Sequence, residues 1–303
     1  MGTVLLKSLG FIVIIMSGFF SVRLGLVSRE DGKRLGRIVI NITLPCTVIM
    51  SFISVSLSFS LFIAFLIGFI YNSLALLVSC FVTFRRSCPE ERASAMLCCN
   101  SLNVGSFALP FCQSFFPIAA VGYLAMLDVS NCVMSLGVGP AAARSIAARG
   151  ERFGLASFFR KLFRNVPLDV YLACAALSLL HIEIPEVIVP VIGPIAQANG
   201  FLAMFMIGTQ LDLDIDMSEV REVVKIFITR FLVAAFIIAY LYFTSYDPLM
   251  KRAIAICLLA PPTSLTVVLV HSLGCDTKTA AMVSSLSIPV SIAIYLAMMI
   301  TLA

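Results

Sequence analysis

The 303-residue chain contains 60% hydrophobic residues and 12% charged residues, with 21 Lys and Arg against 16 Asp and Glu and a formal net charge of +5. Soluble globular domains carry about 25% charged residues, so this composition excludes a soluble enzyme, a nucleic-acid-binding protein and a secreted disulfide scaffold. Since about 20 apolar residues cross a bilayer as a helix, the chain is long enough for about ten crossings. The composition therefore predicts an all-α polytopic membrane protein whose main partner is the lipid bilayer.

Ten apolar segments with few charges are predicted to span the membrane. The first five are residues 4–22, 38–55, 59–84, 93–116 and 119–143, and the second five are residues 167–180, 187–211, 223–243, 249–271 and 279–302. The sixth segment is short. Pro167 stands at its start and Pro185 follows its end, which are the positions that proline favours around a helix.

Lys and Arg are distributed unevenly between the two sides of the predicted membrane. Most of the 21 lie in alternate connections, at residues 23–37, 85–92, 144–164, 221–225 and 278. Short cytoplasmic loops hold such an excess, so we expect these connections on the cytoplasmic side of a plasma or inner membrane. This orientation predicts a multi-pass protein with both termini on the non-cytoplasmic side. Arg230 falls inside the eighth segment, where its stem is expected to extend toward the interface.

A basic connector divides the ten segments into two sets of five. The predicted parts are a first five-helix repeat at 1–143, a basic amphipathic cytoplasmic connector at 144–166 and a second five-helix repeat at 167–303. In the connector, apolar residues recur at helical spacing from Leu155 to Phe163, which predicts either a helix lying beside anionic headgroups or an ordinary linker. Since each set has an odd number of spans, the two repeats are inverted, as in many secondary transporters.

The fourth and ninth segments both contain residues that interrupt a helix. They are Asn100, Asn103, Gly105 and Pro110 in the fourth segment, and Pro261, Pro262, Thr263 and Ser264 in the ninth. Proline removes a backbone donor, and open backbone at membrane depth is tolerated where it is buried or lines a wet cavity. The half-helix ends that follow such breaks attract anions. The interruptions in these two segments together predict a cavity for a small organic anion. The alternative is a simple kink in each helix.

Several polar residues are candidates for contact with this anion. Asn103 offers two donors and one acceptor beside opened backbone, and Asn100 is expected to support it. Thr263 and Ser264 either cap the following half-helix or reach the ligand. Asn41, in the second segment, either reaches the site or joins two helices as a polar contact. The predicted substrate-binding set is completed by Gly105, Pro110, Pro261 and Pro262.

Asp128 lies near the middle of the fifth segment, where a carboxylate is costly and usually functional. With Asn131 one turn later, it is predicted to couple transport to a proton, because the protonated form sits in apolar surroundings at lower cost. The alternatives are a structural carboxylate and a sodium site shared with backbone carbonyls. No cofactor and no metal are otherwise expected. The run from Asp212 to Asp216 begins like a calcium loop, but Met217 and Val223 stand where such a loop has Gly and Glu. His181 and His271 belong to no metal motif.

Short motifs spread along the chain occur in the same order in one transporter family. They are Asn41 to Pro45, Asn103 to Pro110, Asp128 with Asn131, Leu202 to Leu211, and Ala260 to Ser264 followed by Gly274 to Asp276. In these segments the chain resembles the auxin efflux carrier family of the bile acid/sodium symporter-like superfamily. Val104 and Ala108 depart from the family's Asn-Thr-Gly-x-x-Gly-Leu-Pro element, which has Thr and Gly at these positions.

The resemblance implies a ten-helix fold in which the broken helices 4 and 9 cross. It also implies a scaffold of helices 1, 2, 6 and 7, a mobile bundle of the other helices, and elevator-type alternating access. A homodimer through helices 1, 2 and 7 is one implied assembly. The sodium symporters of the superfamily use an acidic residue in the ninth span, and its absence between Leu249 and His271 disfavours sodium coupling.

The leading interpretation is a secondary active transporter, and not an enzyme, for a carboxylate of the malate/malonate-like or auxin-like class. The alternative is a ligand-sensing membrane protein that uses the same pocket without net transport. An intramembrane aspartyl protease would need a second Asp in the membrane, and Asp128 has no obvious partner of this kind. The substrate, the direction of transport and the coupling ion stay open.

Overall fold

The computed structural model describes residues 2–54, 59–84, 88–147, 160, 163, 166–211 and 216–302. Within these ranges the regular structure is helical, without strands. Most of the predicted amphipathic connector lies outside the described residues, as do residues 212–215 of the acidic run.

The first half of the described chain contains eight α-helices. They are α1 (Gly2–Arg23), α2 (Arg29–Ile38), α3 (Leu44–Ser54), α4 (Phe59–Val82), α5 (Pro89–Cys99), α6 (Leu109–Phe115), α7 (Ala119–Val133) and α8 (Gly139–Ile146). Three π-helical turns join or precede some of them: Val39–Thr43 between α2 and α3, Val104–Ala108 before α6, and Met134–Val138 between α7 and α8.

The second half of the described chain contains six further α-helices. They are α9 (Val166–Leu179), α10 (Val189–Gln210), α11 (Val220–Tyr242), α12 (Pro248–Leu258), α13 (Leu265–Ser272) and α14 (Lys278–Leu302). A short 3₁₀ turn, Glu186–Ile188, precedes α10.

Seven stretches of described helix are long and apolar enough to cross a membrane, judged by length and composition. They are Arg29–Ile53, Phe59–Val82, Pro89–Phe115, Ala119–Ile146, Glu186–Gln210, Val220–Tyr242 and Lys278–Met299. Leu9–Arg23 and Val166–Leu179 are shorter apolar helices. The chain is therefore a multi-pass membrane protein whose described residues form helices and connections without strands, as its composition predicts.

Each π-helical turn in the described chain ends two positions before a proline. The residue preceding Pro45, Pro110 and Pro140 donates its backbone N–H to the carbonyl five residues earlier instead of four. A proline ring clashes with the carbonyl four residues before it, and the wider turn gives that carbonyl room. Such π-bulges are frequent at functional sites, and the turns before Pro110 and Pro140 both contribute residues to the cavity described below.

One group of packed helices consists of α1, α2, α3, α9 and α10. Gly18 and Gly208 bring α1 and α10 together, because a Cβ on Gly208 would lie 2.0 Å from the carbonyl oxygen of Ile15 and one on Gly18 would lie 2.2 Å from that of Phe205. α10 also packs against α2 and α3, and α9 packs against α3.

A second group contains the remaining helices. α4 lies along α7, α5 packs against α8, α12 packs against α7, and α11 packs against α4 and α14. The main apolar core includes residues of both groups, among them the fully buried Tyr71, Phe107, Tyr171 and Tyr295. This packing positions the interrupted helices of the second group against the first group.

Candidate functional site

The two predicted breaks lie in direct contact. Regular helix is absent at residues 101–103, after α5, and at residues 260–263, after α12. The backbone N–H of Asn103 in the first break donates a hydrogen bond of 2.8 Å to the carbonyl oxygen of Pro261 in the second. The fold therefore joins two interruptions that are more than 150 residues apart in sequence.

A cavity of about 760 Å³ lies at this junction. Its wall contains seven of the ten predicted site residues: Asn103, Gly105, Asp128, Asn131, Pro262, Thr263 and Ser264. It also contains Arg29 and Lys33 from the first turns of α2, together with Gln210 at the end of α10. Cavities of 300–1,000 Å³ are typical of sites for small molecules, so the volume suits a small solute.

Asn103 is half-buried at the end of the first break. Its Oδ1 accepts a hydrogen bond from the hydroxyl of Ser106, whereas its Nδ2 has no partner within the described part of the chain. Because Asn103 lines the cavity, the two donors of this amide are on the cavity wall. Asn100 is buried outside the cavity wall, and its Nδ2 donates to the carbonyl of Met134 at 3.2 Å.

The two hydroxyls that follow the paired prolines have different surroundings. The Oγ1 of Thr263 accepts a hydrogen bond of 3.4 Å from the backbone N–H of Leu265, which is a weak N-terminal cap of α13. The side chain of Ser264 makes no capping hydrogen bond, although it lines the cavity. The capping alternative therefore fits Thr263, and the ligand alternative fits Ser264.

Gly105 allows the π-helical turn at Val104–Ala108 to approach its neighbours closely. A Cβ at this position would lie 2.9 Å from the side chain of Leu44 and 3.6 Å from Oδ2 of Asp128.

Two of the predicted prolines are not part of the cavity wall. Pro110 and Pro261 are buried outside the cavity wall, and Pro261 contributes through the carbonyl that accepts the Asn103 bond.

Asn41 does not lie with the other predicted site residues. It occupies the exposed side of the turn Val39–Thr43, and its Nδ2 donates to the carbonyl of Arg37 at 2.8 Å. Ile40 and Leu44 reach the cavity from this part of the chain. A π-helical turn holds one residue more than an α-helical turn, and this changes which side chains face inward.

Asp128 lies in a buried polar network, with only 6% of its surface exposed. Its Oδ1 accepts a hydrogen bond of 3.0 Å from Nδ2 of Asn131, and its Oδ2 accepts one of 3.3 Å from the hydroxyl of Tyr171 on α9. Asn131 also bonds both backbone groups of Leu102 in the first break, at 3.0 and 3.1 Å. It thereby satisfies backbone groups that the interrupted helix leaves without partners. Tyr171 carries no sequence signal that predicts this role.

Arg230 is a site residue that sequence reasoning missed, and its predicted orientation is wrong. Only 4% of its surface is exposed, and its guanidinium points to the breaks instead of the interface. Nη1 donates to the carbonyls of Cys98 and Ser101, both at 2.7 Å, and Nη2 donates to that of Ala260 at 2.9 Å. The sequence signal that could have found it is a lone cation in an apolar span, since such residues usually face the bundle interior.

A multi-pass helical protein with a solute-sized cavity between two interrupted helices has the architecture of a membrane transporter. The family model described as membrane transport protein matches residues 3–299, and the chain belongs to this family. The match confirms the resemblance to the auxin efflux carrier family, which is a family of transporters and not of enzymes. A search of the curated proteins finds no match to the chain.

Proposed function

We propose that the protein is a secondary active transporter of a small organic anion, a carboxylate of the malate/malonate-like or auxin-like class. The observation that carries this proposal is the meeting of two broken helices at one cavity. Its wall contains the amide donors of Asn103, which have no partner among the described residues, and the hydroxyl of Ser264, which makes no capping hydrogen bond. Exposed N–H groups at half-helix starts favour negative charge.

The charges on α2 support an anionic substrate. Arg29 and Lys33, one turn apart, both line the cavity. The acidic residues of the same helix interact elsewhere, because Arg34 binds Glu30 at 3.1 Å and Asp31 at 3.3 Å. α2 therefore adds two cations to the cavity wall and no carboxylate. The wall also contains Asp128, and the two cations raise the local concentration of an anion beside them.

The proposed transport mechanism is elevator-type alternating access in a fold of ten membrane-spanning segments. The two inverted repeats would comprise residues 1–143 and 167–303, with helices 4 and 9 crossing where Asn103 contacts Pro261. The group α1, α2, α3, α9 and α10 would form the scaffold. The group that carries the breaks would move against it. A homodimer would form through α1, α2 to α3, and α10.

We place the cavity on the cytoplasmic side of a plasma or inner membrane. Arg29 and Lys33 lie in its wall, and they belong to a connection that the distribution of Lys and Arg assigns to the cytoplasm. Both termini would then face the opposite side. Asp128 and Asn131 would couple movement to a proton, because the carboxylate lies in the cavity wall and bonds to the hydroxyl of Tyr171 on the scaffold side.

A melting experiment tests the proposed ligand class. We expect selected mono- or dicarboxylates to raise the melting temperature of the purified protein, because a ligand at 100 times its dissociation constant adds about 2.7 kcal/mol to stability. Methyl esters of the same acids are the matched control, since they keep the size and lose the charge. Equal shifts from acid and ester, or no shift from any acid, would contradict an anion site.

A further inference from the structure

The guanidinium of Arg230 lies between the ends of two half-helices. The carbonyl of Cys98 is in the last turn of α5, that of Ser101 is in the first break, and that of Ala260 is in the second break, just beyond the end of α12. The last carbonyls of a helix have no partner within that helix. At membrane depth, water does not replace the missing partners. The three carbonyls receive their hydrogen bonds from this one side chain.

The electrostatics of this contact explain how a cation is accommodated so deeply. Arg230 forms no ion pair with a carboxylate among the residues that the structure describes, and it is almost fully buried. The C-terminal end of a helix carries a partial negative charge, and here two such ends face the same cation. The planar fork of a guanidinium presents donors in two directions at once, which suits two separate backbone segments.

We propose that Arg230 is a positioning residue: a built-in cation that holds the two breaks together so that Asn103 and Ser264 line the same cavity. A cluster of backbone carbonyls can bind an exchangeable cation. Here the guanidinium, which is covalently part of the chain, takes that place. The inference rests on the geometry of the breaks and not on the proposed transport, so either one can fail without the other.

Removal of the guanidinium leaves three buried carbonyls without donors and places two negative helix ends beside each other. Lysine restores the charge but offers a compact ammonium on a different stem, and cannot reproduce the fork. The structural order at the breaks is therefore expected to be highest in the original protein, lower in Arg230→Lys and lowest in Arg230→Ala. Helices that do not touch Arg230, such as α1, are expected to keep their order.

Hydrogen exchange of the purified full-length protein tests this role. In Arg230→Ala we expect the backbone amides of Leu102, Asn103 and Ala260 to exchange faster by about tenfold or more, because hydrogen bonds to charged groups are the stronger ones and local opening sets the exchange rate. Amides of α1 are expected to keep their rates. Arg221→Ala is the matched control, because Arg221 is an exposed arginine on the same helix.

Chemical rescue separates positioning from general packing. Guanidinium chloride at a non-denaturing concentration is expected to slow exchange at both breaks in Arg230→Ala, whereas urea and sodium chloride at the same concentration are not. Unchanged exchange at the breaks, or faster exchange spread equally over α1 without rescue, would overturn the proposal. If Arg230→Ala does not fold, Arg230→Lys is measured instead. Full protection of both breaks in that variant would equally overturn it.

Discussion

Asn103→Ala is expected to weaken binding of the anion by about 10- to 100-fold, because a hydrogen bond to a charged group contributes about 1.5–3 kcal/mol. The substitution removes the Nδ2 donors from the cavity wall and retains the backbone N–H that bonds to Pro261. The junction of the two breaks is therefore expected to persist. Isothermal titration of the purified variant with the acid selected by the melting experiment measures the change.

Asn41→Ala is the matched control for this result. It makes the same chemical change at an asparagine that the sequence also nominates, but whose side chain is exposed outside the cavity. Surface substitutions usually change free energies by less than about 0.5 kcal/mol, so we expect an affinity within about threefold of the original. Equal losses in both variants, or no loss in Asn103→Ala, would remove Asn103 from the binding site.

Asp128→Asn is expected to abolish the effect of a pH gradient on transport and to leave ligand affinity nearly unchanged. The amide keeps one oxygen for the hydrogen bond from Tyr171, gives up the bond that Oδ1 accepts from Asn131, and neither gains nor loses a proton. With one proton per cycle, a gradient of one pH unit drives about tenfold accumulation, which the variant would lose. Accumulation in liposomes with and without the gradient measures this effect.

Asp216→Asn provides the control for a general loss of charge. Asp216 is an exposed loop residue that accepts hydrogen bonds from the backbone and hydroxyl of Ser218, and these bonds lower the pKa of its carboxyl. Its loss is expected to leave the pH response intact. A full pH response in Asp128→Asn would instead assign Asp128 a structural role. Dependence of accumulation on a sodium gradient in the original protein would favour the sodium alternative.

Local rules are strong enough to predict the spans and the breaks from the sequence. Length and hydrophobicity define the membrane segments, and seven described stretches of helix meet both criteria. Proline acts through its own missing N–H and its clash with the preceding turn, so Pro110, Pro261 and Pro262 indicate the two interruptions, although Pro194 and Pro289 lie inside continuous helices. The comparison of matching segments predicts a cavity at the two breaks, whereas the crossing of the two helices is implied by the family resemblance.

The features that the sequence does not predict depend on residues far apart in sequence and on the rotation of each helix about its axis. The partners of Arg230 are backbone carbonyls at positions 98, 101 and 260, and carbonyls have no sequence signature. Asn41 faces away from the cavity because the turn Val39–Thr43 contains an extra residue, and one residue rotates a helix face by about 100°. Tyr171 reaches Asp128 from another helix, which no local pattern indicates.

Flux through the purified protein in liposomes tests the central claim most directly. With the acid that raises the melting temperature, the account predicts saturable uptake that is stimulated by the same acid inside, that is absent from protein-free liposomes and that is reduced in Asn103→Ala. Binding that depends on Asn103 but moves no acid across the membrane would contradict a transporter. It would favour the ligand-sensing alternative.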